Sequence, residues 1–396
     1  MKTLTMDVEG SLLDKKQTLI LHGDGVETIR VHTEISAPVV DPQSLDGQLC
    51  NVIFHAMRHC RKLRVNGSIS EKLFRNVALF QEAWHCHYPD DYQLVEIEPA
   101  EVIPSENILM TQRNGNTIQT FSGGVDSIFT LYRRDGAKAP GLAEVTSTAL
   151  LVHGFDVPLS NQSDFDSLRK RIEKITNSVG VELNILRTSL REHLPGNWNH
   201  IHGAALASAL HIYSQSFRLG KIASSDPYNY VGFVPHAWGS SPATDYLLSG
   251  DEMEIVHDGA GYSRPQKIAL LADRWREALR LAQFCWQGDN RAANCGKCSK
   301  CVQTRLSLLA AGHGESICFD SKFEPEMIDC LKFSEETLGD ILPLLDLARA
   351  NGCAAPWVHR VREQVSPFLP VMYRSNRSIG RSIRYFKAAL RELMPT

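Results

Sequence analysis

Four cysteines between residues 285 and 301 have a spacing that is typical of a metal centre. Cys285, Cys295, Cys298 and Cys301 form the pattern C-x9-C-x2-C-x2-C. Two-residue spacers let successive sulfur atoms converge on one ion, and the upstream thiolate completes a tetrahedron. Four ligands leave no open position, so the pattern predicts a structural Zn²⁺ site. An iron–sulfur cluster is the main alternative, and a redox-active pair or reduced core cysteines are two others.

A glycine-rich segment, residues 122–127 (Ser-Gly-Gly-Val-Asp-Ser), has the composition of a phosphate-binding loop. A strand pattern at 117–121 precedes it, and a helix pattern follows it. The two glycines let the backbone approach a ligand closely, and the N–H groups of the loop and helix N-terminus attract an anion. Asp126 would repel phosphate, so we expect it to cap the helix, to meet Mg²⁺, or both. A tight turn without a ligand is the alternative.

The loop and the residues after two later strands supply the candidates for nucleotide binding and catalysis. Within the loop, the nucleotide-binding candidates are Ser122, Gly123, Gly124, Val125, Asp126 and Ser127. Ser224 follows the fourth strand pattern and is a candidate for a ribose, phosphate or metal contact. After the fifth strand pattern, Arg264 and Lys267 could stabilise charge that develops in phosphoryl transfer, or they could be solvated helix-end charges. The catalytic candidates are Asp126, Ser127, Arg264 and Lys267.

Short strand patterns alternate with helix patterns through the middle of the chain, and these elements must position the candidates. The strand patterns are at 117–121, 147–152, 181–187, 221–224 and 253–256. Such alternation predicts parallel βαβ units in an α/β fold, with an open, doubly wound five-stranded parallel sheet. Ligands on such sheets bind at the carboxyl ends of the strands, which is where the loop and the two cations follow.

Two different regions flank this regular middle part. Residues 1–114 combine strand patterns with two helix patterns, which predicts an N-terminal α+β domain. Residues 115–312 would form the nucleotide-binding domain with the four-cysteine site, and residues 313–396 a helical C-terminal extension. The end of that extension predicts a basic helical face, because residues 357–396 contain eight Lys and Arg against two Glu.

The loop sequence resembles the Ser-Gly-Gly-x-Asp-Ser signature of the PP-loop ATP pyrophosphatase superfamily. With the late cysteine pattern, above all residues 294–301, the chain is similar to the 7-cyano-7-deazaguanine synthase-like family over about 117–312. The resemblance implies that the loop binds the pyrophosphate part of ATP together with Mg²⁺. It also implies that the backbone at Val152 and His153 holds the adenine base, and that the four cysteines bind Zn²⁺.

The same resemblance implies a reaction. Members of the family transfer AMP from ATP to a carboxylate, and ammonia or an amine then displaces AMP to give an amide or, in the synthase, a nitrile. We therefore expect an ATP-dependent ligase or amidotransferase whose partners are a small-molecule carboxylate and an amine donor. The region before the loop and the C-terminal extension have no counterpart in the family, and residues 237–246, which lie where the substrate would be recognised, do not align with its substrate-binding segment. The identity of the acid therefore stays open. A tRNA-modifying enzyme with the same loop, or a non-catalytic nucleotide-binding module, is an alternative.

The composition limits the class of protein and the cellular location that we expect. With 43% hydrophobic residues, 22% charged residues and a net charge of −3, the chain is not built mainly to coat nucleic acid. No apolar run reaches membrane-spanning length and the N-terminus lacks a signal-peptide core, so we expect a cytoplasmic protein with reduced cysteines. The basic C-terminal helix would suit an acidic partner, although a solvated surface is the simpler interpretation. A homo-oligomer is compatible with the sequence.

Overall fold

One continuous mixed sheet of ten strands organises the described part of the chain. The computed structural model describes residues 3–23, 25–108, 117–133, 145–194, 196–231, 237–285, 294–333 and 337–368. The strands are β1 (Thr3–Ser11), β2 (Lys16–Gly23), β3 (Val26–Ile35), β4 (Lys62–Ser70), β5 (Glu96–Ile103), β6 (Thr117–Thr120), β7 (Thr146–His153), β8 (Glu182–Thr188), β9 (Leu219–Ala223) and β10 (Glu254–Asp258). Their order across the sheet is β10-β9-β6-β7-β8-β3-β2-β1-β4-β5.

The predicted five-stranded, doubly wound parallel sheet is wrong. Strands do form near the predicted positions and pair in parallel as β10-β9-β6-β7-β8, but the sheet continues beyond β8. Strand β3 pairs antiparallel with β8, from Thr33 opposite Thr188 to Ile35 opposite Leu186. The N-terminal strands therefore cover an edge of the parallel strands that would otherwise present unpaired backbone groups.

The N-terminal half of the sheet contains a strand that the sequence does not predict. Strands β1, β2 and β3 form an antiparallel meander, and β4 and β5 extend it in parallel from β1. Strand β4 alternates the buried residues Leu63, Val65 and Ile69 with polar residues, but Asn66 and Gly67 lie in its middle, where its register with β5 shifts between Val65 and Ser68. An Asn-Gly pair is a turn signal, so the segment does not stand out as one strand in the sequence.

Twelve α-helices are described. They are α1 (Asp46–His59), α2 (Glu71–His87), α3 (Val125–Tyr132), α4 (Gln162–Asn177), α5 (Leu190–His193), α6 (Trp198–His211), α7 (Tyr228–Val231), α8 (Arg264–Arg274), α9 (Arg276–Leu281), α10 (Ser299–Ala310), α11 (Leu338–Ala350) and α12 (Pro356–Val365). Side-chain hydrogen bonds cap the N-termini of two of the longer helices. The Ser70 hydroxyl accepts a hydrogen bond from Leu73 N at α2, and Ser263 and Gln266 form a capping box at α8.

Buried polar contacts fix the N-terminal region to the parallel strands. The Glu252 carboxylate, just before β10, accepts hydrogen bonds from the backbone of Gln43 and Ser44 at 3.0 Å each. Helix α1 packs directly on α6. The two helices are so close that a Cβ at Gly47 would lie 2.9 Å from the Cβ of His211. One hydrophobic core includes Leu4 as well as residues of β6 and β10. The predicted domain boundary at residue 114 lies outside the described residues.

The C-terminal region packs on α10. One face of this helix, with Val302 and Leu306, shares a core with Ile341 of α11 and Val361 of α12. Its other face, with Cys301, belongs to the core that contains α3 and α4. The division at residue 312 therefore passes beside a helix that contributes to both cores. The predicted basic C-terminal helix lies outside the described residues.

Substitution of Gly203 in α6 tests the packing of this helix. A Cβ at position 203 would lie 1.9 Å from the carbonyl oxygen of Gly239, which is a backbone atom that cannot rotate away. We expect Gly203→Ala to lower the free energy of unfolding by about 2 kcal/mol or more, although alanine favours helix by about 1 kcal/mol. Chemical denaturation measures the change. Gly261→Ala is the control, since a Cβ there meets nothing within 4 Å; equal stability of both variants would contradict this packing.

Candidate functional site

The glycine-rich loop links β6 to α3 in the shape that anion binding requires. Gly123 has φ = 74°, in the left-handed region, and a Cβ there would lie 3.0 Å from the Ile172 side chain. Gly124 is the N-cap of α3. The Ser122 hydroxyl accepts a hydrogen bond from Gly124 N at 3.3 Å, and the Ser127 hydroxyl donates one to Gly124 O at 3.0 Å. The loop therefore presents backbone N–H groups at a helix N-terminus, as an anion site does.

Asp126, Arg264 and Lys267 form one ion-paired cluster beside the loop. Arg264 Nη1 lies 2.5 Å from Asp126 Oδ2, and Lys267 Nζ lies 3.1 Å from Asp126 Oδ1. The two cations share a face of α8 because they are three residues apart. Burial alone would raise the pKa of Asp126, but the charges of Arg264 and Lys267 outweigh it and hold this pKa below its usual range. Asp126 is thus an anion at neutral pH.

Ser224 connects this cluster to the end of β9 through its backbone. The Ser224 carbonyl accepts a hydrogen bond from Lys267 Nζ, and its N–H donates to Asp258 O at the end of β10 at 2.7 Å. Its hydroxyl donates to the backbone oxygen of Asp226 at 2.6 Å. In the described structure Ser224 therefore holds the lysine, while its own hydroxyl is engaged with the following turn.

A cavity of about 190 Å³, here called the loop cavity, extends from the loop across the parallel strands. Ser122, Gly124, Asp126 and Ser127 line its polar end. Its remaining walls are mostly apolar and include Leu150, Val152, Phe155, Val157, Leu168, Trp198 and Leu206. A phosphate-type end and an apolar end in one cleft suit a ligand with an anionic part and a flat, weakly polar part.

The two histidines near the loop cavity take different positions. The ring of His153 stacks on Phe165 with ring centroids 4.0 Å apart, and its Nε2 bonds to Pro158 O at 3.0 Å. The His153 side chain therefore has a packing role, and Val152 lines the cavity instead. His202 lines the cavity, with Nδ1 3.0 Å from Trp198 O, and burial lowers the pKa of His202.

A second and larger cavity, of about 590 Å³, lies where the three regions of the chain meet, and we call it the junction cavity. His87 and Tyr88 from α2 and its end contribute the N-terminal wall. The turn after β9, the start of α6 and residues 237–244 contribute the middle. Lys300 and Gln303 of α10 and Asp340 of α11 form the C-terminal wall. Arg264 also lines it, so the Asp126 ion pair stands between the two cavities.

The four predicted cysteine ligands converge, as the spacing predicts. The sulfur atoms of Cys285, Cys295, Cys298 and Cys301 all lie within 4.8 Å of one another. Backbone N–H groups point at two of them: Cys295 N lies 3.3 Å from Cys285 Sγ, and Cys298 N lies 3.3 Å from Cys295 Sγ. Such donors stabilise thiolates, and Cys298 gains further from its place at the N-terminus of α10. Hydrogen bonds, first of all from the Cys301 thiol, lower the pKa of Cys298 to about 5.

This set of donors fits a metal ion such as Zn²⁺. Tetrahedral thiolates at about 2.3 Å from zinc place their sulfur atoms about 3.8 Å apart, and Cys295 and Cys301 are 4.0 Å apart. Among the described residues, no other group of three His, Cys, Asp or Glu side chains lies close enough to hold an ion. A Mg²⁺ ion at the loop would therefore depend on phosphate oxygens for most of its ligands.

Asn294 and Gln283, to which the sequence analysis assigned no role, hold the cysteine cluster together, and the backbone of Gln283 also links it to the loop. Asn294 Oδ1 accepts from Phe284 N at 2.7 Å, and its Nδ2 donates to Ala282 O at 2.8 Å, which draws the two parts of the cluster together. Gln283 N donates to Gly123 O at 2.8 Å, and the Gln283 side chain donates to Cys285 O. The carbonyl of the left-handed glycine is thus held by the segment that supplies a metal ligand.

Comparison with known proteins adds no family to these observations. No protein-family model, no curated protein and no solved structure matches the chain. In the described part of the chain, no helix is both long enough and apolar enough to span a bilayer. The arguments about function therefore depend on the sites themselves.

Removal of the metal should loosen the loop. We expect about one zinc ion per purified chain and its loss in Cys298→Ser. Because Gln283 holds Gly123 O and precedes Cys285 by two residues, the variant should also show faster amide hydrogen exchange at residues 122–125. Metal analysis and hydrogen-exchange mass spectrometry measure the two effects. Cys86→Ser is the control, since Cys86 is exposed and outside the cluster. Unchanged exchange in a metal-free variant would contradict the coupling.

The raised pKa of Asp226 should make the stability of the protein depend on pH. Burial, together with the charges of Asp340 and Asp126, raises the pKa of Asp226 to about 6 from 3.8. The stabilising contribution of its protonated form is complete below pH 3.8 and is lost as the pH rises through about 6. We expect the free energy of unfolding of Asp226→Asn, relative to that of the unmodified chain, to rise by about 2 kcal/mol between about pH 4 and about pH 7. Denaturation at both pH values tests this, with the exposed Asp320→Asn as control; a parallel pH profile would refute it.

Proposed function

We propose that this protein is an ATP-dependent, AMP-forming enzyme that adenylates the carboxylate of a small molecule and passes it to ammonia or an amine. The observation that carries the proposal is the loop cavity, with its glycine loop at one end and the Asp126, Arg264 and Lys267 cluster at the border to a second cavity. An AMP-forming transfer needs two adjoining sites, one for ATP and one for the acid that receives AMP.

In the proposed nucleotide complex, ATP occupies the loop cavity and extends beyond it, because the volume of about 190 Å³ is below the range of about 300–1,000 Å³ typical of ligand pockets. The N–H groups at Gly123 and Gly124 and the hydroxyls of Ser122 and Ser127 donate to the β and γ phosphates, once the bonds that Gly124 N and the Ser127 hydroxyl make within the loop have opened. The apolar wall at Val152 receives the adenine base, in keeping with the family resemblance. Mg²⁺ accompanies the nucleotide and neutralises part of its charge, held mainly by phosphate oxygens.

The proposed chemistry has two steps. A carboxylate oxygen of the acid attacks the α phosphorus, the bond from that phosphorus to the bridging oxygen breaks, and pyrophosphate leaves with the electron pair. Arg264, which lines the junction cavity, is the cation proposed to stabilise that negative charge, while the buried Lys267 lines neither cavity and fixes Asp126, which orients Arg264. The amine then attacks the acyl carbon and loses a proton as AMP leaves, which gives the amide; a nitrile would require a second activation of that amide.

The four-cysteine site enters this proposal as a structural Zn²⁺ centre. Its four thiolate ligands leave no position for substrate, and its connection through Gln283 supports the shape of the loop. A [4Fe–4S] cluster on the same cysteines stays an alternative that metal analysis decides. The cytoplasmic location stays a prediction.

Exchange of labelled pyrophosphate into ATP is the direct test. We expect exchange that requires a carboxylic acid, and a fall of about 100-fold or more in Asp126→Asn, because Arg264 loses the group that orients it. Asp320→Asn should exchange at the unmodified rate. Arg264→Lys, which keeps the charge and removes the planar guanidinium, should retain part of the activity.

The outcomes of this test separate the alternatives. Tight ATP binding without AMP formation in the presence of any acid of a broad panel would favour a non-catalytic nucleotide-binding module. Exchange that depends on added tRNA and not on a small acid would favour a tRNA-modifying enzyme. Either result would overturn the proposal of a small-molecule carboxylate as the acceptor.

A further inference from the structure

The junction cavity has the size and lining of a site for a small organic molecule. Its volume of about 590 Å³ lies within the range of about 300–1,000 Å³ typical of ligand pockets. It adjoins the proposed ATP site at Arg264, so its occupant would be the acid that receives AMP. This inference therefore rests on the proposed function and adds the chemical class of the acid.

Charged side chains of both signs line this cavity. The cations are Arg264, on the side of the loop, and Lys300, in the first turn of α10. The anions are Asp226, in the turn after β9, and Asp340, in the first turn of α11. Burial raises the pKa values of Asp226 and Asp340; the charge of Asp126 adds to both shifts, and that of Asp340 adds to the shift of Asp226. Two positive and two negative side chains make the lining electrically balanced.

The cavity offers a ligand positive charge at Arg264 and Lys300 and negative charge at Asp226 and Asp340. Arg264 holds Asp126 on one side and lines the junction cavity on the other, so a ligand carboxylate beside Arg264 would face the proposed α phosphate. Asp226 and Asp340 repel one another, and a cationic group placed between them would relieve that repulsion. A simple monocarboxylate would add no positive charge to that which Arg264, Lys267 and Lys300 already supply to the two aspartates.

Aromatic rings form the opposite wall of the cavity. Tyr88 stacks on His200, with ring centroids 4.4 Å apart and an interplanar angle of 26°. Trp238 is 42% exposed, and its ring lies 5.4 Å from that of His202. Planar side chains of a ligand gain offset-stacked or edge-to-face contacts against such a wall.

We propose that the junction cavity binds a zwitterionic amino acid with a planar side chain, with its carboxylate at Arg264 and Lys300 and its ammonium group at Asp226 and Asp340. The planar side chain lies against Tyr88 and Trp238. The amine is then a recognition group, distinct from the ammonia or amine that displaces AMP. The neighbouring carboxylate is the group that receives AMP.

Binding of matched probes tests the proposal without any turnover. The probes are L-tryptophan, L-phenylalanine and L-histidine, each with its deaminated acid and its decarboxylated amine, measured by titration calorimetry without ATP at pH 7.5. In at least one set we expect the zwitterion to bind about tenfold or more tightly than either singly charged partner, which corresponds to about 1.4 kcal/mol. The proposal would be overturned if none of the three sets showed a preference for the zwitterion.

Two charge variants assign the ends of the ligand. Asp226→Asn should weaken the zwitterion by about tenfold and leave the deaminated acid unchanged. Lys300→Gln should weaken the binding of the zwitterion and of the deaminated acid and leave the binding of the decarboxylated amine unchanged. The metal content of this variant must match that of the unmodified chain, because Lys300 lies between Cys298 and Cys301 in the sequence. Equal effects on all three probes would overturn the assignment.

The result is distinguishable from failure of the proposed function. Selective zwitterion binding without pyrophosphate exchange would refute the adenylation and keep the ligand class. Exchange that is supported by an acid without an amine, and by none of the zwitterions, would keep the adenylation and refute the ligand class.

Discussion

The buried ammonium group of Lys267 is the charge on which the candidate site depends. Its side chain is 1% exposed, and its Nζ donates to Asp126 Oδ1 at 3.1 Å and to the carbonyl of Ser224. A buried charge that loses its partner costs about 3–5 kcal/mol, so the start of α8, the start of α3 and the end of β9 must stay together. The same constraint keeps Arg264 on the other oxygen of Asp126, where it separates the two cavities.

A second constraint joins the metal centre to the loop through the backbone. The chain leaves α9, passes Gln283 and reaches Cys285, so the hydrogen bond from Gln283 N to Gly123 O is two residues from a metal ligand. A structural metal contributes its binding energy to the folded state. Metal bound by the four cysteines would therefore also stabilise the left-handed turn at Gly123, since the segment that supplies Cys285 holds the carbonyl of this glycine. The position of the metal site thus has a consequence for the anion site.

The parts of this structure that could be predicted from sequence are those that short segments determine. The convergence of the four cysteines is confirmed, because two-residue spacers permit few other arrangements. Arg264 and Lys267 were predicted with a solvated surface as an equal alternative, and the structure pairs both with Asp126. Their partner lies 138 and 141 residues away, and spacing within α8 contains no information about it.

The parts that could not be predicted depend on long-range pairing. The antiparallel contact of β3 with β8 joins residues more than 150 positions apart, such as Thr33 and Thr188, and neither segment alone indicates its partner. Asn66 and Gly67 in the middle of β4 are turn-forming residue types, so local sequence does not indicate that the strand continues through them. Gln283, Asn294 and Asp340 have functions only through tertiary neighbours, so residue type and spacing could not distinguish them from ordinary polar residues.

The shared sheet changes what the N-terminal region can contribute to the junction cavity. A separate domain on a linker would bring Tyr88 to the cavity only part of the time, and ligand binding would have to supply the ordering free energy. The pairing of β3 with β8 and the contacts of Glu252 with Gln43 and Ser44 remove that freedom before any ligand arrives. The C-terminal wall is ordered in the same way, because Asp340 lies on a helix whose core is shared with α10. A cavity whose three walls are positioned by packing can distinguish ligands by the separation of their charges, since the helices and turns that carry its charged groups are held in place.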